Sequence, residues 1–348
     1  MVLRIIWEGV ISLHVALEGT MAGLTRRQFL GAAGAGTVAG LSAMSAARLL
    51  ADPLGLPIGS QTYPVRARIA QGQFAAVLKD MYDAGIRQIE LCSPGYAEFK
   101  SLSDGRQTKT IIEDHGLKCI SSHFNYASEF RAEADLGKAI DWAHAVGLTQ
   151  MGTASLPGTV IAGVTSAEEV KRAADAYNKM AATVSRAGIQ MFLHNETLEN
   201  SKLNDGRLTY PILLSYLDPD LVKMQFQMSS MRVIGNPIMY FRLYPGRFIS
   251  AHVHGVDLDA PLPAPRGNPM PVKPAQPAGG AAARGAGAGA GPAVPAVAIG
   301  DDGVDWAAVF TAAKTGGLKN YFIEQEQPNG GWEAMVKGAA YLKTLTVN

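Results

Sequence analysis

Eight short apolar segments recur along the chain from Leu56 onward, each followed by a longer amphipathic stretch, and this repeat restricts the fold more than any single motif does. The segments are LPIGSQTY (56–63), IRQIELCS (86–93), LKCISSHF (117–124), LTQMGTAS (148–155), IQMFLHNE (189–196), VKMQFQMS (222–229), FISAHVHG (248–255) and NYFIEQEQ (320–327). Several are entered through a glycine, in DAGIRQIEL, DHGLKCIS, AVGLTQMG, RAGIQMFL and TGGLKNYF. Glycine there suits the left-handed residue that ends a helix before the next strand. Eight strands with intervening helices are the count of a (β/α)8 barrel, an α/β fold with a closed parallel sheet. A doubly wound open sheet is the alternative, and the lack of a glycine fingerprint after any strand weighs against it.

Two segments stand outside the repeat. Thr25 to Leu30 reads TRRQFL, and Gly31 to Leu50 is small and apolar, with Arg48 near its end. An arginine pair followed by Phe-Leu and a weakly hydrophobic run has the layout of a twin-arginine export signal. Residues 1–51 are therefore expected to be leader and signal peptide, with Met21 a candidate start and Ala46, Ala47 and Ala51 near the cleavage point. The barrel would occupy 52–348, and the mature protein would be periplasmic or otherwise exported. The Gly-Ala-Gly pattern of the signal has no strand before it, so it is not a dinucleotide loop. Beyond the signal, no run reaches the length of apolar residues that spans a bilayer.

The second exception is 259–298, dense in Pro, Ala and Gly and including the tract GAGAGAG. Such a composition buries too little apolar surface to offset its ordering entropy, so it is expected to be a disordered insertion after the seventh strand. It would sit on the C-terminal face, either as a lid over the mouth or as a solvated loop. A net charge of +1 gives no electrostatic reason to bind nucleic acid or an acidic membrane. With Cys92 and Cys119 as the two cysteines, a disulfide scaffold or a cysteine zinc site is excluded, and two buried free thiols are expected.

Barrel enzymes work at the C-terminal ends of their strands. Those ends here carry Gln61, Glu90, His123, His194, Glu196, Glu199, Gln227, His252, His254, Glu324 and Glu326. Ionisable groups in such a place need one another, water or a metal to offset their desolvation. Histidines and glutamates together suit a divalent cation such as Mn, Mg, Co or Zn. The chemistry that most needs this set is proton movement beside a carbonyl, in which carboxylates remove and return the proton of an enediolate.

Taken together, GIRQIELCSPG, LHNETLEN, YPGRFISAHVHGVD, GDDGVDWAAVF and YFIEQEQP resemble the xylose-isomerase-like barrel proteins, the AP endonuclease family 2 superfamily of sugar phosphate isomerases and epimerases. The resemblance runs from Leu56 to about Leu345, without the insertion. It implies one metal held by Glu199, Gln227, His252 and Glu324, with His254 a rival to His252 because of the HVH spacing. It further implies that Glu199 and Glu324 are the acid/base pair, and that Glu90, His123, His194 and His254 contact substrate or support the site. Two positions depart from the family pattern. Gln227 stands where an aspartate is usual, and Glu196 stands where a second histidine is usual, so Glu196 is a substitute ligand that would restore the missing charge.

The expected protein is thus an exported, metal-dependent isomerase or epimerase of a free sugar or polyol. A lyase or hydrolase on the same barrel stays open, as does a non-catalytic sugar-binding protein that has lost its metal. Trp306 is expected to pack its helix, His115 and His144 to serve helix surfaces, and Glu326 to stand behind the ligands or at the surface. The oligomeric state is not set by the sequence, and a homo-oligomer stays open.

Overall fold

The computed structural model describes residues 54–154, 156, 165–195, 202–228, 237–257, 296–327 and 330–347. Eight strands, β1 (Gly59–Gln61), β2 (Gln88–Cys92), β3 (Lys118–His123), β4 (Gln150–Thr153), β5 (Gln190–His194), β6 (Val222–Gln227), β7 (Phe248–Val253) and β8 (Asn320–Ile323), pair in sequence order. All pairs are parallel, and β8 returns to β1, so the sheet closes into a (β/α)8 barrel. That closure excludes the doubly wound alternative. Around it run α1 (Arg66–Ala70), α2 (Phe74–Asp83), α3 (Gly105–Asp114), α4 (Glu133–Val146), α5 (Ala167–Arg186), α6 (Thr209–Tyr216), α7 (Pro237–Leu243), α8 (Trp306–Thr315) and α9 (Gly331–Thr344). No helix among the described residues is long and apolar enough to cross a membrane.

The helices form where sequence periodicity and capping agree. In α5, Val170, Ala173, Ala174, Tyr177, Ala181 and Val184 fall on one face and are buried, while Ser166 and Glu169 close a reciprocal capping box at its start. At the end of α4, Gly147 takes φ 89° and its N–H reaches the carbonyls of Ala143 and His144. Gly85, Gly116, Gly188 and Gly317 repeat that left-handed φ at the corresponding junctions, so the recurring glycine marks the turn from helix into strand. Trp306 is buried at the start of α8, with Nε1 donating to Asp302 at 3.0 Å.

Two features of the barrel interior place the site. First, Phe192 of β5 lies over Gly152 of β4, and Phe322 of β8 lies over Gly59 of β1. A Cβ on Gly152 would meet the Phe192 carbonyl oxygen and come 2.5 Å from its ring, and one on Gly59 would come 2.6 Å from the Phe322 ring. The two rings make an apolar floor that the missing side chains admit. Second, the β2/β3 register shifts between Ile89 and Glu90, and the β6/β7 register shifts between Met224 and Gln225. Since neighbouring residues on a strand face opposite sides, each shift decides which inward side chains stand opposite one another. The shifts set Ser121 opposite Glu90 and Ser250 opposite Gln225.

The TRRQFL segment, Glu196, Glu199 and residues 258–295 lie outside the described residues. Ala296 to Ala298, which composition assigns to the low-complexity insertion, pack against the barrel instead. Val297 accepts a hydrogen bond from Gln325 Nε2 at 3.1 Å, and Ala298 is buried. The segment fits because Gly255 has no side chain where the Val297 carbonyl approaches. These three residues are the part of the expected insertion that falls among the described residues.

Gly152→Ala should cost about 1–3 kcal/mol through overpacking against Phe192. Gly137, exposed in the interior of α4 with open space around its Cβ direction, is the control, and Gly137→Ala should add about 0.5–1 kcal/mol. Urea unfolding of both variants checks the opposite signs.

Candidate active site

Above the aromatic floor, the strands deliver polar side chains to the barrel axis. Glu90 of β2 is fully buried, and an isolated carboxylate there would be costly. Four donors satisfy it. Gln61 Nε2 reaches Oε1 at 2.8 Å and His252 Nε2 reaches the same oxygen at 2.5 Å, while Ser121 Oγ at 2.5 Å and Gln225 Nε2 at 2.8 Å reach Oε2. Burial works to raise the Glu90 pKa, but the His123 and His252 rings, with the bonds from His252 and Ser121, hold it below the usual carboxylate value.

His252 is the hinge of the arrangement. Its Nε2 faces Glu90, and its Nδ1 donates to Glu324 Oε2 at 2.8 Å. Burial works to lower its pKa, yet the charges of Glu324 and Glu90 and their hydrogen bonds outweigh this and push it up to about 10. Glu324, just beyond β8 and 8% exposed at the rim, has its pKa raised by burial but pulled well below the carboxylate range by the charge and hydrogen bond of His252. At neutral pH the three groups thus form a carboxylate–imidazolium–carboxylate chain from the barrel interior to its mouth.

Gln225 fixes the neighbouring groups. Its Nε2 donates to Glu90 and to Ser250 Oγ at 3.0 Å, so its oxygen faces the other way and accepts from His123 Nε2 at 2.6 Å. That sets the His123 proton on Nε2. Gln227, one pleat further up β6, donates from Nε2 to Glu324 Oε2 at 3.0 Å, and its backbone N–H donates to Asn195 Oδ1 at 2.8 Å. Three of the four ligands implied by the family resemblance, Gln227, His252 and Glu324, therefore meet at one carboxylate oxygen, and the fourth, Glu199, lies outside the described residues. Of the residues implied to contact substrate, Glu90 and His123 belong to this network. His194 stacks beside it, its ring centroid 4.5 Å from that of His252 and 5.1 Å from that of His123. Burial, with the neighbouring imidazoles, pushes the His194 pKa well below its usual value, so the ring is neutral. His254 lies beyond the end of β7, enclosed around Nδ1, and burial pushes it down to about 4.

The donor atoms fit a divalent cation. His194 Nδ1 and Gln227 Oε1 are buried lone-pair atoms that meet no hydrogen-bond partner. In addition, one nitrogen each of His123, His194 and His252 lie within 4.8 Å of one another. His252 would have to exchange one of its carboxylate partners to join such a set.

The two-residue spacing in VKMQFQMS puts Gln225 on the inward face but names no partner for it, and Ser121 and Ser250 were passed over. Gln225 shares the inward face with Gln227 two residues on, which was the available signal. The serines stand two residues before His123 and His252 and so share their inward face, but which residue each meets depends on a register shift that spacing does not reveal.

No family model matches the chain, and no curated protein matches it. Solved structures do. A sugar phosphate isomerase/epimerase from Parabacteroides distasonis is 19% identical, with 82% of this chain and 93% of that one covered at a TM-score of 0.62. A probable 3-DHS dehydratase involved in petrobactin synthesis, from Bacillus anthracis, is 13% identical over 82% and 98% at 0.56. A xylose isomerase-like TIM barrel protein from Mycobacterium smegmatis, in complex with magnesium, is 14% identical over 83% and 96% at 0.55. The chain shares its fold with these proteins.

The charges of the chain fix its pH response. His252 has a folded pKa raised above the ordinary 6.5, so its contribution to stability is complete below about 6.5 and is lost as pH rises through about 10. Glu90 and Glu324 have lowered folded pKa values, so their contribution is present above the ordinary 4.5 and is lost as pH falls below it. Urea midpoints of chelator-treated protein should therefore decline from pH 6.5 to 10, and the decline should flatten in His252→Gln.

Proposed function

We propose that the protein is an exported isomerase or epimerase that moves a proton beside the carbonyl of a free sugar, with a divalent metal as cofactor. The observation that carries this reading is the convergence of Gln227 and His252 on Glu324 Oε2 at the mouth, with a second carboxylate, Glu90, bound to the far side of the same imidazole. Gln227, His252 and Glu324, with Glu199 and with Glu196 as a substitute for the missing aspartate, would hold the cation. When bound, it would polarise the carbonyl and adjacent hydroxyl of the substrate.

The chain's own residues supply the proton traffic. Glu324, ionised and at the rim, is the base on one face of the substrate, and Glu199 is its counterpart on the other. Without the cation, His252 keeps Glu324 ionised and oriented and Glu90 keeps His252 charged. To ligate the cation, His252 would give up one ring proton, and the charge that holds Glu324 ionised would then come from the ion. Neutral His194 and the Nδ1 edge of His123 offer lone pairs to substrate hydroxyls. The twin-arginine segment supports export, and phosphorylated sugars are scarce outside the cytoplasm, which favours an unphosphorylated substrate.

A second reading is a lyase, favoured by the likeness to the dehydratase, since the same enediolate can expel a leaving group at the β carbon. Product analysis separates the two, because elimination leaves an unsaturated product.

Incubation of candidate aldoses and ketoses in D2O tests the central step. Deuterium should enter at the carbon beside the carbonyl, and metal added to chelated protein should accelerate it. Glu324→Gln should slow exchange by about 10²–10⁴-fold without unfolding the barrel. The absence of both metal uptake and exchange would contradict the proposal. Separately, Gln227→Asp should tighten metal binding, read by calorimetry, whereas a pure binding cleft should gain nothing.

A further inference from the structure

We infer that a cavity beside the barrel mouth, between the ends of β1 and β8, binds a second uncharged sugar ring, so that the substrate is a disaccharide with a free carbonyl end. This rests on reading the mouth as a sugar site. The cavity has a volume of about 730 Å³, within the range of small-molecule sites. It lies in the layer between strands and helices, because Ser60 and Ile323 line it and alternate along β1 and β8 with the inward Gln61 and Glu324, while Met81 of α2 and Met335 of α9 lie on its helical side.

It adjoins the catalytic groups at two points. Gln61 lines it and also donates to Glu90 at 2.8 Å. Gln325, another lining residue, directly follows Glu324 in the chain. Gln61 therefore borders both this space and the Glu90 network.

The lining matches a pyranose, which presents an apolar face and a ring of hydroxyls. Trp332, half-buried at the start of α9, supplies an aromatic wall. Gln327 supplies a planar amide, its oxygen held by Gln325 Nε2 at 2.8 Å, which leaves its own Nε2 available as a donor. Among the described residues lining the cavity, Glu98, Glu326 and Glu333 face a single basic one, Arg66. The Arg66 guanidinium is already committed, lying 4.1 Å from the Tyr63 ring centroid and bonded to the Tyr63 carbonyl at 2.9 Å. Such an excess of carboxylates disfavours a phosphate or a sugar acid and leaves a neutral ring as the fitting occupant.

Saturation-transfer NMR and calorimetry on the full chain would test this with maltose and cellobiose, their component glucose, and glucose 6-phosphate. Glu324→Gln serves as a background that prevents turnover. At least one disaccharide should bind about tenfold or more tightly than glucose, Trp332→Ala should remove that preference, and Trp332→Phe should restore part of it. Equal affinities for disaccharide and glucose, a preference untouched by Trp332→Ala, or tighter binding of glucose 6-phosphate would each overturn the inference. Deuterium exchange on monosaccharides without a disaccharide preference would sink this subsite and leave the catalytic reading standing. Trp332-dependent binding of a disaccharide without any exchange in wild type would do the reverse.

Discussion

Everything at the mouth of this barrel depends on how Glu90 is buried. A carboxylate with no exposure is tolerated because four donors from β1, β3, β6 and β7 converge on its two oxygens. One of them, His252, carries the opposite charge and passes the constraint outward to Glu324 at 2.8 Å. The rim carboxylate is thereby held ionised and fixed in direction by a residue that is itself fixed from below. A group that must take and return protons benefits from that arrangement, since it is charged and already oriented before substrate arrives.

The backbone makes this possible through irregularity. The shifts at Ile89/Glu90 and Met224/Gln225 set the inward-facing Ser121 opposite Glu90 and Ser250 opposite Gln225, where each completes a bond that Glu90 or Gln225 would otherwise lack. Below them, Gly59 and Gly152 admit the Phe322 and Phe192 rings, which seal the polar layer from the lower barrel. A regular sheet with average side chains would place the same residue types without closing the network.

The architecture was legible in the sequence because it is repetitive. Alternating segments and the glycines before the strands report local geometry, and local geometry recurs at each βα unit. The inward set was also legible in part, since Glu90, His123, His194, Gln227, His252 and Glu324 all stand at strand ends. The pairing among them was not. That His252 bridges two carboxylates follows from three strands far apart in sequence, and that Gln225 sets the His123 proton follows from which way one amide turns. The seating of Val297 was not legible for a similar reason, because it is held by Gln325 and by the gap above Gly255, neither of which composition shows.

The central claim is that His252 is a charged bridge between two ionised glutamates, and ¹⁵N NMR of its imidazole in chelator-treated protein tests it most directly. Both ring nitrogens should show imidazolium shifts that stay constant from pH 6 to 8, while His194 shows a neutral ring over the same range. A neutral His252 at pH 7, with one unprotonated nitrogen, would contradict the account.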